Sequence, residues 1–177
     1  MTQGSRATAV FAGGCFWCIE HAFTSIEGVL SAVPGYAGGE GSDPTYHEVA
    51  KGTTGHREAV LVTYDPTIVP YEELLDVFWR SIDPNDDGGQ FADRGSQYTT
   101  AVFTATEEEK QTAEQSKRAL DSSGRFSDPI VTEILPAGRF WIAEDEHHDY
   151  ANTHPLQYRA YAIGSGREAF CKRMWKT

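Results

Sequence analysis

The stretch "ATAVFAGGCFWCIEHAFTSIEG", residues 7–28, changes from a strand pattern to a helix pattern at a pair of glycines. The apolar run 7–12 predicts a short strand, and the two glycines predict a tight turn. Apolar residues then recur at helical spacing, which predicts a helix over about 15–27 with one apolar face. This order places Cys15 and Cys18 in the first turn of the helix.

The rest of the chain continues to alternate between strand and helix patterns. Alternating apolar residues predict strands, and acidic residues before an apolar periodic segment predict the start of a helix. The expected elements are an extended segment at 29–37, a strand at 57–64, a helix at 70–81, a long polar loop at 82–96, a strand at 97–105, a helix with Thr106 as N-cap and Glu109 completing a capping box, a strand at 129–136 and a short helix near 166–176.

This order of elements fits a single domain over residues 1–177. The predicted fold class is α+β, a two-layer sandwich with a ferredoxin-like split βαβ core. A thioredoxin-like fold is the alternative, because a Cys-x-x-Cys pair follows a strand and opens a helix.

Composition excludes several classes of partner. The formal net charge of -11 disfavours nucleic acid and anionic membrane surfaces, because both need clustered Lys and Arg. No apolar run reaches the roughly 18 residues of a membrane helix, and the apolar run before the cysteine pair is too short for a signal peptide. Three cysteines do not suggest a secreted disulfide scaffold, so we expect a reducing compartment, the cytoplasm. We also expect a monomer.

The cysteine pair suggests redox chemistry. A helix N-terminus stabilises a thiolate, so the pKa of Cys15 is expected below the usual value of about 8.5. Cys18 lies one turn further, about 5 Å away by helix geometry, within the range that a disulfide bridges. Cys15 can therefore attack a substrate and Cys18 can resolve the product, unless both are small buried hydrophobes. A structural metal would need two more soft ligands, and only Cys171 remains, so we expect no metal.

Large aromatic residues lie between the two cysteines. Phe16 and Trp17 could form a small apolar pocket that holds a methyl or similar group against the nucleophilic sulfur. Core filling is the alternative for both side chains.

Several motifs resemble one known family. "GGCFWCIE" (13–20) is similar to the signature of A-type peptide methionine sulfoxide reductases. Three further stretches match the family in the same order, "GYAGGEGSDPTYHEVAKGTTGHREAV", "DRGSQYTTAVF" and "FWIAEDEHHDYANTHP". The likeness runs from about 9 to about 155, and the tail 156–177 diverges from the pattern.

The resemblance implies an enzyme that reduces the S epimer of methionine sulfoxide, free or in proteins, as a repair after oxidation. It implies thioredoxin as the usual reductant, a sulfenic acid intermediate and no cofactor. By position in the motifs, the implied roles are Cys15 as nucleophile, Phe16 and Trp17 as walls of a methyl pocket, Glu58 as catalytic acid, Tyr46 and Tyr98 as hydroxyls that hold the sulfoxide oxygen, and Asp93 as a supporting carboxylate.

The position of the recycling cysteine departs from many relatives, which carry it in a Gly-rich C-terminal tail. Here the tail holds Cys171 in a helix pattern with Phe170, Met174 and Trp175, which suggests packing. We therefore expect Cys18 to resolve Cys15. Resolution by Cys171, or direct reduction of the sulfenic acid, stays open.

Two other functions compete with this interpretation: a general thiol–disulfide oxidoreductase, and a non-enzymatic redox sensor or binding module. Disulfide exchange does not need the additional carboxyl and phenol groups of the motifs.

His147 and His148 suggest a metal site, but neighbouring helical residues point about 100° apart and chelate poorly. We leave them out of the catalytic set.

Overall fold

A computed structural model describes residues 4–176, within which eight strands and seven α-helices alternate. The strands are β1 (Ala7–Gly13), β2 (Val29–Ala37), β3 (Arg57–Tyr64), β4 (Gly89–Gln90), β5 (Asp93–Arg94), β6 (Thr100–Thr104), β7 (Glu133–Pro136) and β8 (Trp141–Ile142). The helices are α1 (Phe16–Thr24), α2 (Tyr46–Ala50), α3 (Tyr71–Trp79), α4 (Glu107–Ser122), α5 (Tyr150–Thr153), α6 (Pro155–Gly164) and α7 (Arg167–Met174). Two 3₁₀ turns lie at Ser96–Tyr98 and Asp145–His147.

Six strands form a mixed sheet in the order β7-β6-β1-β3-β2-β8, and β4 and β5 form a separate hairpin. Only the pair β6–β7 is parallel. β1 and β2, which α1 connects, run in the same direction on either side of β3. A thioredoxin-like fold would place those two strands next to each other, so this arrangement excludes that alternative.

The main core lies between the sheet and the helices. Helix α3 packs between α1 and α4, and all three cover one face of the sheet. The Phe11 ring on β1 stacks on Phe23 of α1 at 5.0 Å and on Phe78 of α3 at 5.2 Å between ring centroids. All three rings are fully buried. Burial of each contributes about 1.5–3 kcal/mol, which fixes α1 against the sheet.

The turn from β1 to α1 depends on its glycines. A Cβ atom on Gly13 would lie 2.6 Å from Ile19 Cδ1. Gly14 has a φ of +83°, and a Cβ there would lie 2.6 Å from the Cβ of Gln90. The close contact alone requires a glycine at position 13, and the close contact together with the positive φ requires one at position 14. The chain therefore turns directly from the sheet into the helix and places Cys15 at the N-cap of α1.

The predicted strand 97–105 begins later in the structure, at Thr100. The preceding residues form the 3₁₀ turn Ser96–Tyr98, because the side chain of Gln97 is buried and donates to the Ala50 carbonyl at 2.9 Å. This turn brings Tyr98 out of the strand pattern and toward β3.

The predicted strand 129–136 is also shorter, since only Glu133–Pro136 pair with β6. The Asn85 side chain donates to the carbonyls of Asp128 and Pro129, both at 2.8 Å. The Val131 N–H donates to Pro84 at 2.8 Å. These bonds hold the segment against the loop after α3 and away from the sheet.

Helix caps explain other element boundaries. Thr106 is the N-cap of α4, as predicted, and its hydroxyl accepts from the Glu109 N–H at 3.1 Å. The Glu109 carboxylate instead accepts from Ala105, one residue before the cap, so the predicted reciprocal box is incorrect in this detail. A complete capping box occurs at Thr45 and Glu48, where it starts α2.

The C-terminal segment forms two helices that pack on the core. Phe170, Met174 and Trp175 contact the main cluster, which confirms the prediction that this segment packs. The Trp175 ring lies under the guanidinium groups of Arg80 and Arg125, at 4.6 and 4.3 Å. Helix α6 was not expected from the sequence. No helix within residues 4–176 has the length and apolar character needed to span a bilayer.

Candidate active site

A cavity of about 40 Å³ lies at the start of α1, where β3, α2, the β4–β5 hairpin and α6 meet. A buried water occupies roughly 10–15 Å³ on the same measure, so the cavity has room for one small chemical group. Six of its seven lining residues are predicted site residues, and the seventh was not expected: Cys15, Trp17, Tyr46, Glu58, Asp93, Tyr98 and Tyr161.

Glu58 is the buried carboxyl group of this cavity. It lies on β3 and is 3 % exposed, and its Oε1 accepts the Phe16 N–H at 3.2 Å. Burial raises the pKa of Glu58 to about 8, although the bonds from Phe16 and from the Tyr98 hydroxyl lower it. The charge of Asp93 raises this pKa further. Glu58 is therefore mostly protonated at neutral pH and can act as an acid.

The prediction of a low pKa for Cys15 is wrong. The thiol is buried, and this burial raises its pKa well above the usual range. The hydrogen bond that the thiol donates to Cys18 and the nearby charge of Glu58 act in the same direction. The N–H of Phe16 at the helix start binds Glu58, and Cys15 makes no capping bond with its side chain. The first free N–H of the helix is therefore bound by the carboxyl group of Glu58 and not by the sulfur of Cys15.

Cys18 lies one turn along α1 and is also buried. The hydrogen bond from the Cys15 thiol lowers the pKa of Cys18 to about 7, against the opposing effect of burial. The positive charge of Arg167 and a hydrogen bond from the Tyr158 hydroxyl also lower it. Both thiols are free, so the structure represents the reduced pair.

Tyr46 and Tyr98 place two phenol groups beside the carboxyl of Glu58. Burial raises the pKa of Tyr46 to about 12, and the charge of Glu58 adds to the effect. The same two causes raise the pKa of Tyr98. Both hydroxyls stay protonated near neutral pH and can donate hydrogen bonds to an oxygen in the cavity.

Asp93 receives a hydrogen bond from a residue that the sequence did not suggest. The hydroxyl of Tyr161 on α6 donates to its Oδ2. Burial raises the pKa of Asp93, and the charge of Arg167 lowers it in part. Tyr161 and Arg167 lie in the C-terminal helices, so this segment contributes to the site as well as to packing.

Aromatic side chains surround the nucleophile. The Trp17 ring lines the cavity and stacks on Tyr150 at 3.9 Å, whereas Phe16 is buried behind the cavity wall. The Phe16 ring packs against Tyr46 at 6.3 Å and against His147 at 5.2 Å. Trp17 is therefore the aromatic surface that a bound group would contact, and Phe16 supports that wall.

His147 belongs to this wall. Its Nδ1 accepts from the Trp17 indole N–H at 3.3 Å, so the neutral ring carries its proton on Nε2. Burial lowers the pKa of His147 and favours this neutral form. His148 instead bonds to the Ala143 carbonyl through Nε2 at 2.8 Å. The two rings therefore have separate roles, and no group of three potential metal ligands occurs within residues 4–176.

Glu144 is a second site residue that sequence reasoning missed. Its carboxylate accepts from the Tyr36 hydroxyl at 2.9 Å and from the Tyr46 N–H at 3.0 Å. These bonds fix the start of α2 and so the position of the Tyr46 phenol. Its position in the acidic "EDEHHD" block was the only available signal.

The geometry brings together a nucleophilic sulfur, a protonated carboxyl, two phenols and a second thiol one helical turn away. The sulfur can attack a polarised bond, and the carboxyl group can protonate the leaving oxygen. The two thiols can then be oxidised to a disulfide. Fold and site together define a thiol-dependent oxidoreductase.

Comparisons with known proteins identify the family. The sequence profile of the family described as "Peptide methionine sulfoxide reductase" matches residues 7–177. A peptide methionine sulfoxide reductase MsrA of Bacillus licheniformis is 52 % identical over 170 residues, covering 96 % of this chain and 94 % of that protein. This chain therefore belongs to the peptide methionine sulfoxide reductase family and is an oxidoreductase.

Solved structures agree with this assignment. Methionine sulfoxide reductase A of Corynebacterium diphtheriae superposes with a TM-score of 0.77 at 35 % identity, over 88 % of this chain and 78 % of that one. Mxr1 of Saccharomyces cerevisiae in reduced form gives a TM-score of 0.80 at 28 % identity, over 85 % and 86 %. The family match includes residues 156–177, so it extends into the helices that supply Tyr161 and Arg167.

Proposed function

We propose that this protein reduces the S epimer of methionine sulfoxide, free or in proteins, and so repairs oxidised proteins. Membership of the family supports the substrate class. One observation carries the proposed chemistry: the buried, mostly protonated Glu58 lies in the same small cavity as the Cys15 sulfur. A general disulfide exchange reaction does not need such an acid.

In the proposed first step, the Cys15 sulfur attacks the sulfoxide sulfur. The sulfoxide oxygen becomes basic and takes the proton of Glu58, while the Tyr46 and Tyr98 hydroxyls donate hydrogen bonds to it. The oxygen then moves as a hydroxyl group from the methionine sulfur to the Cys15 sulfur while the bond between the two sulfurs breaks, so that methionine leaves and Cys15 becomes a sulfenic acid. The proton that Cys15 loses restores Glu58, so the step balances without an outside acid.

The aromatic wall supplies the proposed site for the substrate methyl group. Trp17 lines the cavity and is held by its stacking on Tyr150 and its bond to His147. Phe16 supports this wall from behind. An apolar surface next to the nucleophile favours a methyl group there and orients the sulfoxide oxygen toward the polar side of the cavity.

In the proposed second step, Cys18 condenses with the sulfenic acid, releases water and forms a disulfide with Cys15. The two thiols are both buried and lie one helical turn apart at the start of α1, which supports this pairing. Thioredoxin is the proposed reductant of the disulfide, because yeast Mxr1 has been solved in complex with Trx2.

We also propose that the chain acts as one monomeric catalytic domain with a ferredoxin-like core. The strand order β6-β1-β3-β2, with β1 and β2 parallel on either side of β3, supports the split βαβ arrangement.

Turnover of separated R and S epimers of dabsyl-methionine sulfoxide tests the proposed function. We expect methionine from the S epimer only, and no comparable reduction of insulin disulfides. Mass spectrometry after one turnover without reductant should find a peptide with Cys15 and Cys18 linked. Equal use of both epimers, or reduction of insulin in place of the sulfoxide, contradicts the proposal.

Two matched variants test the resolving residue. Cys18→Ser should release one equivalent of methionine and then stop with thioredoxin, because its sulfenic acid has no neighbouring thiol. Cys171→Ser should turn over like the unmodified protein. The opposite pattern would assign resolution to Cys171, and unchanged turnover in both variants would indicate direct reduction of the sulfenic acid.

A further inference from the structure

A second and larger cavity, of about 560 Å³, opens on the other side of the first turn of α1. It lies between α1, α6, α7 and the end of α3. We name it the basic groove and define it by Cys18, Arg80, Arg159, Arg167, Cys171 and Lys172. Cys18 lines this groove, whereas Cys15 lines the small cavity. The two sulfurs of the pair therefore border different spaces.

The groove concentrates positive charge in a chain whose formal net charge is -11. Four cationic side chains line it, against the single carboxylate of Glu168. Arg80 and Lys172 have ion-pair partners, Asp76 and Glu168, each at 2.7 Å. Arg159 is exposed and has no ion pair within residues 4–176. The groove therefore has more positive than negative charge.

Arg167 forms the inner wall of the groove. It is 6 % exposed, and its Nη1 and Nη2 donate to the carbonyls of Ser81 at 2.7 Å and Gly13 at 3.0 Å. Its Nε has no hydrogen-bond partner in the described part of the chain, and no carboxylate pairs with it there. A buried guanidinium without a counter-ion is costly, and an anionic ligand would reduce that cost.

We propose that the basic groove binds a low-molecular-weight thiol that carries carboxylates, and that this thiol reduces the Cys15–Cys18 disulfide by attack on the Cys18 sulfur. The inference rests on the proposed function, which supplies the disulfide. The volume lies within the usual range for small-molecule sites, roughly 300–1,000 Å³. The charge of the groove favours an anionic reductant over a neutral one.

The exchange balances as follows. The ligand thiolate forms a bond to the Cys18 sulfur, the Cys15–Cys18 bond breaks, and the Cys15 sulfur leaves with the electron pair and takes a proton. The burial that raises the pKa of Cys15 favours its thiol form. A second ligand thiolate then attacks the ligand sulfur of the mixed disulfide and releases Cys18 as a thiolate near Arg167. Two ligand thiols are oxidised to one disulfide, and the protein disulfide is reduced.

Steady-state turnover with two thiols tests the proposal. Glutathione is the anionic probe, and 2-mercaptoethanol is the neutral one. The variant Arg159→Gln/Lys172→Gln removes two groove charges, and Lys110→Gln/Lys117→Gln removes two charges from α4 as the matched control. In the groove variant, the KM for glutathione should rise about three- to tenfold, the range expected for two exposed ionic contacts. The KM for 2-mercaptoethanol should not change, and the control should match the unmodified protein with both thiols.

S-methylglutathione, which has no free thiol, tests binding apart from reaction. It should inhibit glutathione-dependent turnover competitively and do so more weakly in the groove variant. In Cys15→Ser, glutathione disulfide should form a mixed disulfide with Cys18, faster than 2-hydroxyethyl disulfide does.

Methionine release in the first turnover separates the two proposals, since it requires no reductant. If it is absent, the proposed function fails. If it occurs but the groove variant changes the KM for both thiols equally, or for neither, the groove proposal is overturned. An effect of the variant on thioredoxin-dependent turnover alone also overturns it, because the groove would then be a protein-docking surface.

Discussion

The carboxyl group of Glu58 takes the first free N–H of α1, the position from which a cysteine at a helix start is usually activated. At the scale of single residues, this explains the corrected pKa of Cys15. Burial keeps the Cys15 thiol protonated, and the carboxyl group of Glu58 binds the N–H at the helix start that could otherwise stabilise a thiolate. The motif identified both residues, but only the structure shows which of them the helix stabilises.

Glu58→Gln removes the proton donor and keeps the shape of the side chain. Its amide oxygen can still accept the Phe16 N–H, so the fold should persist. We expect the rate of first-turnover methionine release to fall about 10²- to 10⁴-fold, the usual contribution of general acid catalysis. The exposed Glu133→Gln serves as the control. An unchanged first-turnover rate would remove Glu58 from the chemical step.

The difference in first-turnover rate between the unmodified protein and Glu58→Gln should depend on pH, because the pKa of Glu58 is raised. The acid form predominates below about pH 8 and is lost above it. The ratio of the unmodified to the Glu58→Gln first-turnover rate should therefore be high below pH 8 and decrease as the pH rises through 8. Because the charge of Glu58 also raises the pKa of Cys15, the Cys15 thiol is titrated separately in each protein and both rates are corrected for its ionised fraction. A ratio that stays constant between pH 6 and 9 would contradict the assignment.

Tyr161→Phe tests the residue that sequence reasoning missed. The change removes the hydroxyl that donates to Asp93 and leaves a half-buried acceptor without this donor, at a cost of up to about 1 kcal/mol. We expect first-turnover methionine release to slow about tenfold. Tyr158→Phe is the matched control, because Tyr158 faces Cys18 and the basic groove, and it should leave the first turnover unchanged. Equal effects of the two changes would argue against a role for Tyr161 beside Asp93.

At the scale of elements, the turn between β1 and α1 determines where the nucleophile lies. Gly14→Ala forces a positive φ on an alanine and places its Cβ against Gln90. We expect the free energy of unfolding to fall by about 1–3 kcal/mol, measured by urea denaturation. Gly138→Ala is the control, since a Cβ there meets nothing within 4 Å and its φ is not positive. Similar losses at both positions would show that the turn is not specially constrained.

The strands and helices with strong local patterns were predictable from the sequence. β2 and β3 match their predicted ranges, because alternation and flanking glycines specify them locally. The irregular segment 129–132 before β7 and the 3₁₀ turn at Tyr98 were not predictable, since the side chains of Asn85 and Gln97 determine them through bonds to distant backbone groups. Local pattern carries no information about such contacts.

At the scale of the whole molecule, two buried carboxyl groups link stability to pH. Burial raises the pKa of Glu58 to about 8 and that of Glu20 to about 7. Both groups bind a proton more tightly in the folded state than in the unfolded chain. Their contribution to stability is therefore complete below about pH 4.5 and is lost as the pH rises toward 8.

The free energy of unfolding should accordingly decrease between pH 5 and pH 8, with a slope of at most about 1.4 kcal/mol per pH unit for each group. The double variant Glu20→Gln/Glu58→Gln should show a smaller slope in urea denaturation over the same range. Equal slopes in the two proteins would mean that neither carboxyl is protonated in the fold at neutral pH.

The candidate site divides in the same way between what the sequence predicts and what only the fold reveals. Six of the seven residues around the small cavity lie in motifs of the family and were therefore predictable from the sequence. Tyr161 and Arg167 reach the site across 68 and 154 residues of chain, to Asp93 and Gly13. They lie on helices without a distinctive pattern, so only the three-dimensional fold brings them to the cysteine pair.

The first turn of α1 separates the space beside Cys15 from the space beside Cys18, and this separation has a kinetic consequence. If the reductant binds in the basic groove as proposed, it can do so while methionine still occupies the small cavity, so product release need not precede reductant binding. Methionine should then inhibit noncompetitively with respect to the reductant. The two compounds can therefore bind in either order. The proposed Cys15–Cys18 disulfide connects the small cavity, where the sulfoxide is reduced, with the basic groove, where the reductant binds.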